Sequence, residues 1–207
     1  MIVTDITEAS KSKSNIYIDG EFAFQLYKGE LRQFNIKKDT EITNDIYNEI
    51  VGTVLTKRAK QRAMHLLEKR PYTEKALIDK LRDNSYSEEI IEEAINYLKG
   101  FNYINDLDYA LQYIDTYAET KSVRRIEQDL RQKGIDKNTV EKAIAARKDE
   151  GELGDERKMI VKLLEKKHYS SETADAKEKN KMMTYLYGKG FSIENIKSVM
   201  NYDEFDQ

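Results

Sequence analysis

The chain has no cysteine, no tryptophan, a single proline and only nine glycines among its 207 residues. Without cysteine there is no disulfide framework, no thiolate metal cluster and no cysteine nucleophile. With Pro71 as the only proline, long stretches run free of helix breakers, which predicts a mostly helical protein. Apolar residues are scarce as well: 39% are hydrophobic with tyrosine counted, against 35% charged, whereas ordinary globular domains carry about 45–50% apolar residues. A thin core in an extended fold follows. No segment approaches 18 consecutive apolar residues, and Met1-Ile2-Val3-Thr4-Asp5 lacks a basic region leading into an apolar run; no membrane partner is expected, and the chain reads as soluble and cytoplasmic. The 35 Lys and Arg balance 38 Asp and Glu, which argues against a polycation that coats nucleic acid by charge alone.

Chemistry-bearing groups are equally sparse. His65 and His168 are the only histidines, far apart and without a second ligand at metal spacing, so no metal or cofactor is expected. Glu88, Glu89, Glu92 and Glu93 follow Ser87 in the first turns of a helix, where carboxylates favour the helix dipole. The Gly188-Lys189-Gly190 triplet lacks the frame of a phosphate loop. These readings predict no enzyme.

What the sequence does contain is periodicity. Ile16, Ile18, Phe22, Phe24 and Leu26 alternate around Asp19-Gly20, a pair that accepts positive φ, so a β-hairpin is predicted, with Ile2 to Ile6 as a third strand. From Asn44 the period becomes helical: Ile46, Ile50, Val51, Val54, Leu55, Ala59, Ala63, Leu66 and Leu67 form one stripe running up to Arg70-Pro71. Beyond it the chain matches itself. The segment from Lys80 superposes on that from Asp129 at an offset of 49, and the latter on that from Tyr185 at an offset of 56. Leu81, Leu130 and Leu186 are buried positions, and Ser85, Gly134 and Gly190 stop a helix in the left-handed region. Tyr86, Ile135 and Phe191 anchor the turn, and Ser87, Asp136 and Ser192 cap the next helix. Another helix precedes each pair, read from Ala63-Leu66-Leu67, Ala110-Tyr113-Ile114 and Ile160-Leu163-Leu164. The extra residues of the third copy fall at His168 to Lys181 and read as a longer, mobile loop.

The expected fold is mainly α: three tandem three-helix repeats in an elongated curved array, preceded by a small three-strand β element. The expected divisions are 1–43 for the β-rich extension, 44–106 for the long helix and first repeat, 107–150 for the second repeat and 151–207 for the third.

Charge is segregated along this array. From Val51 to Pro71 six Lys or Arg face only Glu68, whereas Tyr72 to Ala118 carries four against ten acidic residues. On a helix Arg58, Arg62 and Lys69 fall within about 40° of one another. A second cluster, Lys121, Arg124, Arg125, Arg131 and Lys133, surrounds the second helix of the second repeat. A solvated face accounts for such residues as well as an anionic partner does. Tyrosines such as Tyr97, Tyr113 and Tyr185 sit at or beside core spacing, where packing accounts for them better than base stacking.

The chain from about Thr56 onward resembles the bacterial RecX regulators of the RecA recombinase. The most specific segment is NYINDLDYALQYI from Asn102, followed by RRIEQDLRQKGID from Arg124; LLEKRPYTEKALIDKL from Leu66 and YLYGKGFSIENI from Tyr185 match the first and third repeats. The strand-rich amino terminus is similar to the extension of family members from Gram-positive bacteria. Ser122-Val123 stands where the family often has Gly-Pro, and Ser122 still caps the helix; Asn102 replaces a usual glycine and tolerates the same backbone region. The resemblance implies a monomeric regulator, most simply an inhibitor, without catalytic residues. It would lie in the groove of the RecA filament on single-stranded DNA, modulating strand exchange and ATP hydrolysis and so DNA repair and recombination. The electropositive face would then comprise Lys57, Arg58, Arg62, Lys69, Lys121, Arg124, Arg125, Arg131 and Lys133. The alternatives are a helix-turn-helix-like DNA-binding regulator acting without RecA, a Mg²⁺-dependent nuclease built on acidic residues, and a helical adaptor for some other protein.

Overall fold

The computed structural model describes residues 1–149, 153 and 155–200. The fold is mainly helical, with a small antiparallel sheet at the amino terminus: β1 (Val3–Glu8), β2 (Lys13–Ile18) and β3 (Glu21–Tyr27), paired in the order β1-β2-β3. Asp19 and Gly20 join β2 to β3 with φ of 50° and 91°, the left-handed pair that a two-residue hairpin turn requires. Strict alternation would place Phe22 on the core face beside Phe24 and Leu26. The register instead slips between Ile16 and Tyr17, and this bulge turns Phe22 outward, 45% exposed and edge-on to Tyr17 at 6.0 Å.

A short helix, α1 (Lys28–Gln33), leads to the long helical segment expected from Asn44. That segment comprises α2 (Asn44–Asn48), a π-helical stretch (Glu49–Leu55) and α3 (Thr56–Leu67). Ile50 and Leu55, five residues apart, are both buried, a spacing that fits a π turn. The buried Thr56 hydroxyl donates to the Val51 carbonyl, also five residues back, at 2.9 Å. Then come α4 (Glu74–Arg82), capped by Thr73, and α5 (Glu88–Gly100), which packs against both α3 and α4. Ile16, Phe24 and Leu26 of the sheet share one continuous core with Ile50, Ala59, Leu77, Ile91 and Leu98. These elements form the first of two compact units, Met1–Asn105; the second is Asp106–Gln207.

The second unit holds α6 (Asp106–Tyr117), α7 (Val123–Gln132), α8 (Lys137–Asp149), α9 (Glu156–Lys166), α10 (Ala176–Gly188) and α11 (Ile193–Met200). One core gathers Ala110, Ile114, Ile126, Leu130, Ile135, Val140 and Ala143, and another gathers Met159, Ile160, Leu163, Leu164, Leu186, Phe191, Ile196 and Met200. The repeat is visible in the backbone. Ser85, Gly134 and Gly190 have φ of 61°, 90° and 90°, and each donates its N–H three residues back, to Arg82, Arg131 and Tyr187, at 2.8–3.0 Å. Asp136 and Ser192 accept from the N–H groups of Thr139 and Asn195. Ser87 has the cap conformation without the side-chain bond.

Two further expectations are corrected. The segment His168–Lys181 is not all loop: α10 starts at Ala176, where Asp175 accepts from the Glu178 N–H at 2.7 Å and the breaker-free Ala176–Lys181 run extends the helix. The helix before Pro71 stops at Leu67, so the apolar stripe does not continue to Arg70. The boundary expected at residues 150 and 151 lies outside the described residues.

Candidate nucleic-acid interface

The nine basic residues singled out above fall into two environments. On α3, Lys57 and Arg62 are exposed, and Lys69 is exposed in the turn that follows. Because α3 ends at Leu67, the helical projection that aligned Lys69 with Arg58 and Arg62 does not apply to it. Arg58 faces inward: its guanidinium pairs with Glu30, reaches the Gln25 carbonyl at 3.4 Å and lies 4.5 Å from the Tyr27 ring centre. Its side chain is 17% exposed and that of Glu30 19%, so the pair ties α3 to the edge of β3 and to α1.

Around α7 the sorting is sharper. Asp129 lies between Ile126 and Leu130 on the buried face and is itself buried. One of its carboxylate oxygens accepts from the Lys121 ammonium at 2.7 Å and from the Tyr113 hydroxyl at 3.0 Å, and the other faces Arg125 Nε at 2.9 Å. Lys121 also donates to the Tyr113 oxygen at 2.8 Å and sits 4.0 Å from the Tyr117 ring centre. Burial opposes the charge on Asp129, but the hydrogen bonds from Lys121 and Tyr113 and the charges of Lys121 and Arg125 outweigh it and hold the carboxyl below its usual range. Burial likewise opposes the Lys121 charge, and its bonds to Asp129 and Tyr113 raise its pKa all the same. For the Tyr113 phenol, burial is the largest influence and pushes the pKa up. Lys133 is half-buried, 5.4 Å from the Tyr113 ring centre.

Arg124 and Arg131 remain outside this cluster. Both are exposed, and among the described residues neither side chain has a salt bridge, nor have Lys57, Arg62 and Lys69. Seven residues apart, Arg124 and Arg131 share a face of α7, about 10 Å apart along its axis, with exposed Gln128 between them. That spacing allows two guanidinium groups to meet separate phosphates or carboxylates. The electropositive face expected from the sequence includes Lys121 and Arg125, whose carboxylate partner Asp129 is absent from that expectation. The available signal was a carboxylate in the register of Ile126 and Leu130, which a buried face admits only with cationic or hydrogen-bonding partners.

Among the described residues no group of histidine and carboxylate side chains forms a metal site, and no helix is long and apolar enough to cross a membrane. His65 is exposed, 3.3 Å from Glu68; Glu88 is held by Arg82 and Glu93 by Lys60.

Three family models match in tandem: the first three-helix domain of RecX at residues 59–98, the second at 105–144 and the third at 155–200. The chain is 35% identical to the regulatory protein RecX of Caldanaerobacter subterraneus over 97% of this chain and 99% of that one. It is 31% identical to the regulatory protein RecX of Clostridioides difficile, over 99% of each chain. A crystal structure of regulatory protein RecX superposes with a TM-score of 0.56 at 27% identity, covering 97% of this chain and 99% of its own. The RecX of Lactobacillus salivarius gives 0.55 at 29% identity over 72% of this chain and 96% of its own. Tandem domain matches and full-length relatives agree: the chain belongs to the RecX family of regulatory proteins.

Proposed function

We propose that this chain regulates a RecA-type recombinase, binding the filament that the recombinase forms on single-stranded DNA and restraining its strand exchange and ATP hydrolysis. The observation that carries the reading is the end-to-end likeness to regulatory RecX proteins, with all three helical domains present. Lys57 and Arg62 of α3 and Arg124 and Arg131 of α7, exposed and without a salt bridge among the described residues, support an anionic partner. Three tandem domains let weak contacts add through effective concentration, so that binding is tight only where partner subunits are already lined up. The protein acts without a cofactor, as a monomer in the cytoplasm.

The test is ATP hydrolysis by the recombinase of the same source on single-stranded DNA, with the chain titrated well below stoichiometric amounts. Strong inhibition at low ratios is the expected result. Unchanged hydrolysis, with no co-sedimentation on filaments, overturns the reading; tight sequence-specific duplex binding without recombinase would put a helix-turn-helix regulator in its place.

A further inference from the structure

The most exposed aromatic pair in the first unit stands at the end of α5. Phe101 and Tyr103 are 61% and 54% exposed, their ring centres 5.9 Å apart and their planes within 19°. The backbone imposes this arrangement. Asn102 takes φ of 55°, and the N–H groups of Asn102 and Tyr103 return to the carbonyls of Lys99 and Leu98 at 2.9 and 2.8 Å. This is a left-handed helix stop. Tyr97 continues the ladder 4.8 Å from Phe101, with the Lys60 ammonium 4.9 Å from its ring centre. Beside Tyr103 lies an open cleft of about 400 Å³ lined by Met64, Leu67, Glu68 and Tyr103, within the range of small-ligand sites. The packing of the core does not account for two large rings left in water beside such a cleft.

We propose that this cleft receives one unstacked base of a single-stranded nucleic acid, stacked on Tyr103 and bonded through its exocyclic amine to Glu68. Each lining group has a part in that occupant. Met64 and Leu67 supply an apolar wall, and Tyr103, backed by Phe101, supplies a flat face for stacking. Glu68 Oε2 is 3.3 Å from His65 Nδ1, which leaves Oε1 to accept from an amine. A carboxylate accepts from N4 of cytosine and repels O4 of thymine. Lys57, two helical turns before Met64 on the same face of α3 and exposed, is placed for a neighbouring phosphate. An apolar protein anchor would bury Glu68 without a donor. A basic peptide would meet the exposed cations Lys57, Arg62, Lys69 and Arg70 that share this segment with Glu68. The proposal deepens the single-strand half of the functional reading, and its test omits the recombinase so that the two fail separately.

The experiment measures fluorescence anisotropy of labelled oligo(dC) and oligo(dT) with the full chain alone. The expected result is tighter binding of oligo(dC), an affinity loss of about 5- to 150-fold for both strands in Tyr103→Ala, and retention in Tyr103→Phe, which keeps the ring. Glu68→Ala should bring the two strands to equal affinity. Equal affinity in the parent chain, or unchanged binding by Tyr103→Ala with its fold verified by circular dichroism, overturns the proposal. If Tyr103→Ala leaves oligonucleotide binding intact but weakens inhibition of the recombinase, the cleft takes a protein side chain, and the proposal likewise falls.

Discussion

Gly190 packs directly against Ser122, so closely that a Cβ on the glycine would lie 2.4 Å from the serine Oγ and 2.5 Å from the Arg125 Cβ. Next to it the Lys189 carbonyl accepts from the Ser122 N–H at 3.0 Å. The turn between α10 and α11 therefore sits on the start of α7. The same Ser122 caps α7 by accepting from the Arg125 N–H at 3.2 Å.

Gly190→Ala should cost more than the same change in a left-handed turn with open space. Gly20 has the same positive φ and nothing near its missing Cβ, so Gly20→Ala should lose only about 1 kcal/mol of backbone preference. At Gly190 the clash adds roughly 1–3 kcal/mol. Urea unfolding of the two variants checks the order, and equal midpoints would show that the turn relaxes away from Ser122 freely.

Asp129→Ala should destabilise the second repeat by roughly 2–4 kcal/mol, because Lys121 and Tyr113 lose a buried acceptor. The pH dependence follows from the shifts. Asp129 has a lowered pKa in the fold, so its contribution is complete above the ordinary carboxylate value near 4 and is lost as pH falls through the folded value. Lys121 has a raised pKa, so its contribution is complete below the ordinary lysine value near 10.4 and is lost as pH rises through the folded value. Unfolding midpoints against pH should therefore fall less steeply at both extremes in Asp129→Asn than in the parent chain.

Arg124→Glu with Arg131→Glu should weaken binding to nucleic acid or filament and leave the unfolding midpoint nearly unchanged, since among the described residues neither side chain has a salt bridge. Two fewer phosphate contacts should reduce the slope of log affinity against log salt by roughly 1.4 on a single strand. A salt titration reads this directly, and an unaltered slope would remove both residues from the interface.

Arg58→Ala should behave in the opposite sense. Losing the pair with Glu30, the bond to Gln25 and the contact with Tyr27 leaves a half-buried carboxylate without its partner, at roughly 1.5–3 kcal/mol. Chemical denaturation should show the loss, while the salt dependence of binding stays as in the parent chain.

Much of this fold was legible because each repeat writes its punctuation in the sequence. The residues Ser85, Gly134 and Gly190 adopt the left-handed stop that their alignment implies, and the Asp19-Gly20 turn fixes the hairpin. What stayed hidden depends on contacts between segments distant in sequence. The bulge that exposes Phe22 depends on how β2 and β3 pair. The inward turn of Arg58 depends on Glu30, 28 residues earlier. Charge counts located the two basic regions but could not separate Lys121 and Arg125, drawn to Asp129, from Arg124 and Arg131, which point outward: helical spacing gives a direction around an axis, and only packing says which cation meets a buried carboxylate.

The sheet and the first repeat share a single core, in which Ile16, Phe24 and Leu26 lie against the same interior as Leu77 and Leu98. Amide hydrogens of β2 and α5 should therefore exchange through one common opening event, with matching protection. Trimming the chain back to Asn44 would strip that interior of Val3, Ile16, Phe24, Leu26 and Ile42 together. The remaining three-helix domain would present their former partners to water, and a protease would find it an easier substrate than the intact unit.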